Sequence, residues 1–247
     1  MSAVSLRHVS KTFGIGGRAV TAVADVDLEV RAGEFVCLLG ASGCGKSTIL
    51  NLVAELDAPT SGTVEVAGTT ALMFQESALF PWLTVQANVE LPMKLAGVPK
   101  DERRERATRL IESVHLGTFA RKRPHQLSGG MRQRGALARA LAQDADVLLM
   151  DEPFGALDAM TRDTLHDELD AQVRDRRLTV LFVTHNVREA ARLGDRIVVM
   201  SPRPGRVTAS FDVPIERPRR IDSPEVATLA ATVTDQLREE VLAHARG

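Results

Sequence analysis

The stretch Gly40-Ala41-Ser42-Gly43-Cys44-Gly45-Lys46-Ser47-Thr48 constrains everything around it. Its first eight residues fit G-x-x-x-x-G-K-[ST], a loop whose backbone N–H groups cradle phosphate oxygens. Residues 34–39, just before it, are an apolar run that reads as a buried strand. Just after it, Ile49, Leu50, Leu52, Val53 and Leu56 fall on one helical face. A glycine-rich turn matching by chance would lack this strand–loop–helix setting. Gly40, Gly43 and Gly45 let the backbone curl without Cβ clashes, so its N–H groups can point inward. The positive end of the following helix favours an anion. Lys46 offers a charge to β- and γ-phosphates, and the Ser47 hydroxyl a ligand for Mg²⁺.

The charge balance excludes some partners. Net charge is −1 and positive and negative residues are interspersed, so no basic surface argues for nucleic acid. Cys37 and Cys44 lie too close around a strand end to make a disulfide framework, which predicts a reduced, cytosolic setting. Cys44, beside Lys46 near a helix N-terminus, stands where a thiolate is favoured; it reads either as a reactive thiol that nucleotide would protect or as a residue that contributes only its backbone N–H. No apolar run approaches the ~18 residues of a membrane helix, and no signal segment is read at the N-terminus. If the chain works at a membrane, another subunit must span it.

Along the chain, residues 4–9 and 26–30 alternate apolar with polar side chains and read as antiparallel strands. The glycine-rich turn between them carries Phe13, a packing residue or a platform on which a planar base stacks. Residues 57–62 form a turn cluster, residues 63–66 and 71–74 read as short strands, and Gln75 follows the second. Residues 76–143 read as a helical insertion: Phe80, Trp82 and Leu83 in a proline-broken loop, a helix preceded by Pro99 and Asp101 with Ala107, Leu110, Ile111 and Val114 on its apolar face, and another from Met131 to Ala142. The charged face of the first of these helices, residues 102–109, reads as solvated. Residues 147–150, 179–183 and 197–200 are apolar strands alternating with helices, implying a largely parallel sheet with ligand chemistry at the strands' C-terminal ends. Gly40, Asp151 and His185 all sit at such ends. In the 206–247 tail, Ser223-Pro224 opens a helix whose stripe is Val226, Leu229, Ala230, Val233 and Leu237.

Asp151 after an apolar strand is placed as a Mg²⁺-binding carboxylate, and Glu152 beside it as a group that polarises an attacking water. His185 follows a neighbouring strand and predicts a γ-phosphate contact. Leu127-Ser128-Gly129-Gly130-Met131 opens a helix and offers a second anion site. One nucleotide does not need both sites from one chain, so the pair predicts a dimer in which one protomer completes the other's site.

With these motifs in this order, the chain resembles the ATP-binding subunit of an ABC transporter over nearly its whole length. Residues 127–131 resemble that family's signature, with Met131 where glutamine is common. Gln75 is similar to its Q-loop residue, a further metal ligand that joins the metal site to the membrane subunit. Residues 154–158 resemble its D-loop, with Asp158 as the acidic member, and His185 its switch histidine. The resemblance implies that Glu152, Gln75 and His185 are the catalytic residues, with Glu152 the general base and Ser47, Gln75 and Asp151 on the metal. It places Phe13 where an adenine-stacking aromatic, often tyrosine, is expected; this chain has no tyrosine.

A narrower resemblance is to nitrate, sulfonate and taurine importers, through residues 75–85 and the turn Ser201-Pro202-Arg203-Pro204-Gly205-Arg206. Two positions depart from it. Only six residues separate Gly68 from Gln75, implying a trimmed β-hairpin, and Glu55 stands where glycine is usual.

The expectation is therefore an α/β P-loop NTPase of the ABC cassette type, a single ATP-binding domain over 1–247. It has a parallel core sheet, an antiparallel β lobe and an inserted helical lobe. It would use ATP and Mg²⁺ on the cytoplasmic face of the membrane as a peripheral homodimer. Two transmembrane permease subunits and an extracytoplasmic solute-binding protein would complete it, with Phe80, Trp82 and Leu83 contacting the permease. An ABC-type ATPase of DNA repair or translation would need a long coiled-coil insertion or tandem cassettes. A P-loop kinase would not need residues 127–133 or His185, and a nucleotide sensor would bind without turnover.

Overall fold

The computed structural model describes residues 1–14, 16–155 and 157–244. In chain order, β1 (Ser2–Phe13) and β2 (Val20–Arg31) form an antiparallel pair. Then come β3 (Phe35–Gly40), α1 (Lys46–Val53), β4 (Ser61–Val66) and β5 (Thr70–Met73). Three helices follow before the sheet resumes: α2 (Val85–Leu95), α3 (Lys100–Ser113) and α4 (Gly129–Leu141). The remainder is β6 (Val147–Asp151), α5 (Ala159–Arg176), β7 (Thr179–Val183), α6 (Val187–Leu193), β8 (Arg196–Met200), β9 (Val207–Asp212) and α7 (Pro224–His244).

The strands make a three-stranded antiparallel sheet, β2-β1-β4, and a six-stranded sheet, β5-β6-β7-β3-β8-β9, parallel except for β9 at its edge. The apolar runs read as buried strands are continuous because both faces of this sheet are covered. Cys37, Leu39, Leu148, Met150, Val180, Phe182, Ile197 and Val199 point into one apolar layer, shared with the helices. Their neighbours Val36, Leu38, Val147, Leu149, Leu181, Val183, Val198 and Met200 point into the other, shared with α1 and the antiparallel sheet. One period of two thus serves two cores. The loop after β3 opens where β3 sits between β7 and β8, so sequence-distant strand ends converge there.

Several expectations are corrected. α1 ends at Val53, leaving Leu56 outside it and 61% exposed. The chain leaves this helix through Glu55 at φ +57°, the left-handed region, which accounts for the expectation of glycine there. No hairpin joins β4 to β5: β4 pairs with β1 and β5 with β6, in separate sheets. The short crossing turns at Gly68 (φ +91°), and the Asp146 carboxylate accepts from the Thr69 N–H at 2.8 Å. α2 escapes the sequence reading because Pro92 lies inside it; the proline falls in the last turns, and Thr84 caps the start by accepting from the Ala87 N–H at 3.1 Å. α3 begins at Lys100, one residue before Asp101, and α4 at Gly129, two before Met131. The structure adds α6, a helix of seven residues, and β9, whose apolar residues Val207, Ala209 and Phe211 alternate with exposed polar ones along the sheet edge.

Candidate functional site

A cavity of about 670 Å³ opens over the C-terminal ends of β3, β6 and β7. Phe13, Ser42, Gly43, Gly45, Lys46, Ser47, Thr48, Gln75, Asp151, Glu152 and His185 line it, so most of the predicted residues meet in one place.

Gly43 and Gly45 carry φ of +76° and +98°, as an inward-curling loop requires. Gly40 is not part of the curl: it ends β3, and a Cβ there would stand 2.7 Å from the Cys44 Sγ and 2.8 Å from the Met200 carbonyl. Gly45 caps α1 without any side-chain oxygen, leaving the first-turn N–H groups free to face an anion. Lys46, 7% exposed, donates to the carbonyls of Gly40 (2.9 Å) and Ala41 (3.0 Å), which hold its ammonium under the loop. Ala41 contributes through that carbonyl and does not line the cavity. Cys44 corrects another expectation. Its side chain is buried in the layer between β3 and the antiparallel sheet, so the thiol is shielded from reagents whatever its charge. Cys37 is also buried, and burial pushes its thiol well above the usual range.

Glu152 sits at φ +45°, a strained region for a residue with a side chain. Its N–H donates to the Val183 carbonyl of β7 at 2.9 Å, which fixes the turn. The carboxylate Oε2 accepts from the Gln75 Nε2 at 3.4 Å, and the His185 Nδ1 lies 3.2 Å from the same oxygen. Asp151 beside it is half-buried. Burial raises its carboxyl above the usual carboxylate range, opposed by a hydrogen bond from Ser47, assisted by the Glu152 charge and opposed by that of Lys46. A carboxylate held against its preference next to a hydroxyl and a nearby amide is a hard-oxygen set that suits Mg²⁺. Phe13 ends β1 at the cavity's outer lip, 45% exposed, with the Lys11 ammonium 5.0 Å from its ring centre.

The residues of the second anion motif do not join this cavity. Ser128 caps α4, its Oγ accepting from the Met131 N–H at 3.2 Å; Leu127 is buried, and Gly129 is exposed to solvent. Asp158 caps α5 in the same way through Thr161, while Ala156 of the D-loop stretch lies outside the described residues. Phe80 and Trp82 are exposed, their rings 5.4 Å apart, and Leu83 is half-buried. Trp82, 67% exposed, lies outside the cassette's own core.

Three contributors lacked any assigned role. Gln133 of α4 donates to the Gln75 carbonyl at 2.6 Å. The buried Asn88 accepts from the Phe80 N–H and donates to the Phe80 and Thr84 carbonyls, shaping the exposed loop. Arg203 reaches the cavity from the turn after β8. For Gln133 and Arg203 the only signal was membership of a motif already quoted; Asn88 had none.

A family model described as ABC transporter matches residues 23–155, which span the phosphate loop, the second anion motif and the Asp151-Glu152 pair. The chain belongs to the ABC transporter family. It is 44% identical to an aliphatic sulfonates import ATP-binding protein of Agrobacterium fabrum, over 95% of this chain and 83% of that one. It is 42% identical to a taurine import ATP-binding protein of Roseobacter denitrificans, over 87% of this chain and 83% of that one. A solved dimeric ATP-binding cassette, in a post-hydrolysis state bound to ADP and Pi, superposes with a TM-score of 0.79 at 34% identity, covering 86% of this chain and all of that one. Relatives named for nitrate import and bicarbonate transport are 43% and 45% identical; the chain covers 76% of the former's length and 34% of the latter's. This cassette binds ATP and hydrolyses it as part of a transporter. No described helix is long and apolar enough to cross a membrane.

Proposed function

We propose that the chain is the ATP-hydrolysing subunit of an importer for a small solute of the sulfonate, taurine or nitrate class. The observation that carries the hydrolytic part is the meeting of Gln75, Glu152 and His185 at the floor of the phosphate-loop cavity. In this reading the N–H groups of 42–48 and the Lys46 ammonium bind the phosphates, and Phe13 stacks on the base. Glu152 accepts the proton of the attacking water, with Gln75 and His185 orienting its carboxylate. Ser47, Asp151 and Gln75 would hold Mg²⁺, which supplies charge neutralisation at the β- and γ-phosphates when bound.

The importer part is supported by the names of the relatives and by the exposed aromatic loop. Phe80, Trp82 and Leu83 dock a membrane permease, two copies of which pair with two copies of this chain. The arrangement keeps the cassette peripheral on the cytoplasmic face. An extracytoplasmic binding protein then delivers the solute, and the whole 1–247 stretch acts as one domain. Residues 127–131 and Asp158 face the partner's nucleotide.

The reading is tested by recovering the tagged chain from its host's membranes and identifying what integral subunits accompany it. After reconstitution in vesicles, ATP hydrolysis should rise with taurine, an alkanesulfonate or nitrate in the presence of the matching binding protein. Stimulation by bicarbonate alone would move the substrate class, and recovery with no membrane subunit would sink the importer reading.

A further inference from the structure

We infer that Arg203 is a second cationic ligand of the nucleotide's phosphates, held in place by a turn that ties the antiparallel lobe to the phosphate loop. This rests on the nucleotide occupying the cavity above residues 40–48.

The turn is closed on itself. The Ser201 N–H donates to the Arg206 carbonyl at 2.9 Å, the Ser201 hydroxyl donates to the Pro204 carbonyl at 3.1 Å, and its oxygen accepts from the Arg206 N–H at 3.0 Å. It is also pinned from two sides. Gly205 exchanges hydrogen bonds with β2, its N–H donating to the Ala22 carbonyl and its carbonyl accepting from the Ala24 N–H, both at 2.9 Å. Its other side presses on the phosphate loop so closely that a Cβ at Gly205 would stand 1.9 Å from the Cys44 carbonyl. Residue 203 is therefore positioned by β8, by β2 and by the phosphate loop together.

From this turn the Arg203 side chain reaches the phosphate loop. Its Nε donates to the Gly43 carbonyl at 3.3 Å, and one terminal nitrogen lies 3.3 Å from where a Cβ on Gly43 would stand. Among the described residues no carboxylate pairs with it, and the bond from Nε to the Gly43 carbonyl is the one its guanidinium makes. Of the described cavity-lining residues, Lys46 and Arg203 are the two permanent cations, set against Asp151 and Glu152. A guanidinium anchored through Nε leaves both terminal nitrogens, with four N–H donors, free to form the fork that matches phosphate oxygens. A prop for the Gly43 carbonyl would need only one neutral donor; the charge and the unused fork point to an anion in the cavity.

The test is competition of ATP, ADP and adenosine against a fluorescent ATP analogue, on wild type and on the Arg203→Ala, Arg203→Gln, Arg203→Lys and Lys46→Ala variants. Thermal unfolding confirms that each variant is folded. Gln keeps a donor for the Gly43 carbonyl without charge; Lys keeps the charge. Loss of one charge-assisted pair corresponds to roughly tenfold in affinity. Arg203→Ala and Arg203→Gln should both weaken ATP by about that factor and leave adenosine unchanged. Arg203→Lys should recover most of the loss, and the salt dependence of ATP binding should become shallower in the uncharged variants. Wild-type ATP affinity in Arg203→Gln would overturn the inference, because the side chain would then be only a prop. Equal weakening of adenosine and ATP would overturn it too, since the turn would be acting through the fold. ATP binding insensitive to Lys46→Ala would instead remove the phosphate-loop reading beneath it.

Discussion

The imidazole of His185 and the carboxylate of Glu152 meet across the ends of two neighbouring strands, Nδ1 to Oε2 at 3.2 Å. The histidine side chain is 67% exposed and the glutamate 22%, so the pair presents a wet face outward and a drier carboxylate toward the cavity floor. On the proposed reading, this carboxylate, bounded by the histidine and the Gln75 amide, takes a proton from water.

Glu152→Gln removes the proton acceptor but keeps the shape and the contacts of the side chain. ATP binding should survive, and hydrolysis should slow by about 10²–10⁴-fold. Phosphate release and size-exclusion chromatography with ATP report both halves, the second as accumulation of an ATP-bound dimer. Phosphate release within a few-fold of wild type would take Glu152 out of this role.

Asp151 gives a pH-dependent expectation. Its folded-state carboxyl is raised above the ordinary 3.8, chiefly by burial. Over the window from 3.8 upward the folded chain then holds more proton than the unfolded one, so stability falls as pH rises through that window. Asp151→Asn removes this cost, so at neutral pH its thermal midpoint without nucleotide should lie a few degrees above wild type, the difference closing toward pH 3.8. Mg²⁺-dependent nucleotide binding should be lost in the same variant. A lower midpoint at pH 7 would contradict the burial account.

Trp82 is the only tryptophan, so its emission reports one place. With 67% of its surface exposed, it should emit as a solvated indole in the isolated cassette and shift to the blue when the membrane subunits bind. Trp82→Ala should leave ATP affinity and unfolding midpoint near wild type while weakening that assembly. A strongly destabilised variant would speak against a docking role.

The separation of the Ser128 cap from the phosphate-loop cavity makes a mixing experiment decisive. Lys46→Ala and Ser128→Arg each spoil a different half of a shared site. In a mixed dimer one site carries both defects, and the other joins an intact Lys46 to an intact Ser128. Doubly tagged mixed dimers should therefore trap more nucleotide than either parent. Trapping no better than the parents would show that each chain completes its own site.

What the sequence disclosed follows from how far each signal reaches along the chain. Residues 40–48 and the strands around them announce themselves through local pattern, and the placement of Asp151, Glu152 and His185 followed from counting strand ends. Lost were features set by contacts between remote stretches. Cys44 looks accessible as part of a glycine-rich loop, yet Gly40 and the turn at Gly205 close around it. The crossing at Gly68 resembles a shortened hairpin until β5 is seen beside β6. Pro92 argues against a helix by residue type, yet the Thr84 cap and the buried face of Val85, Val89 and Met93 hold the helix in spite of the donor it lacks. Arg203 carries no local mark of its use, because its partner Gly43 lies on the far side of the sheet sequence.

Helix α4 leaves the docking loop little independence. Ser128 caps one end of it, Gln133 one turn on grips the Gln75 carbonyl, and Arg139 near the other end donates to the Ala78 carbonyl while stacking over Phe80. Phe80 is thus tied to a single rod that also holds Gln75, the partner of Glu152, and begins at the exposed Ser128 cap. If the proposed importer reading holds, a membrane subunit pressing on Phe80 could not leave Gln75 undisturbed, so the timing of bond cleavage and the clasping of two cassettes would share one mechanical clock.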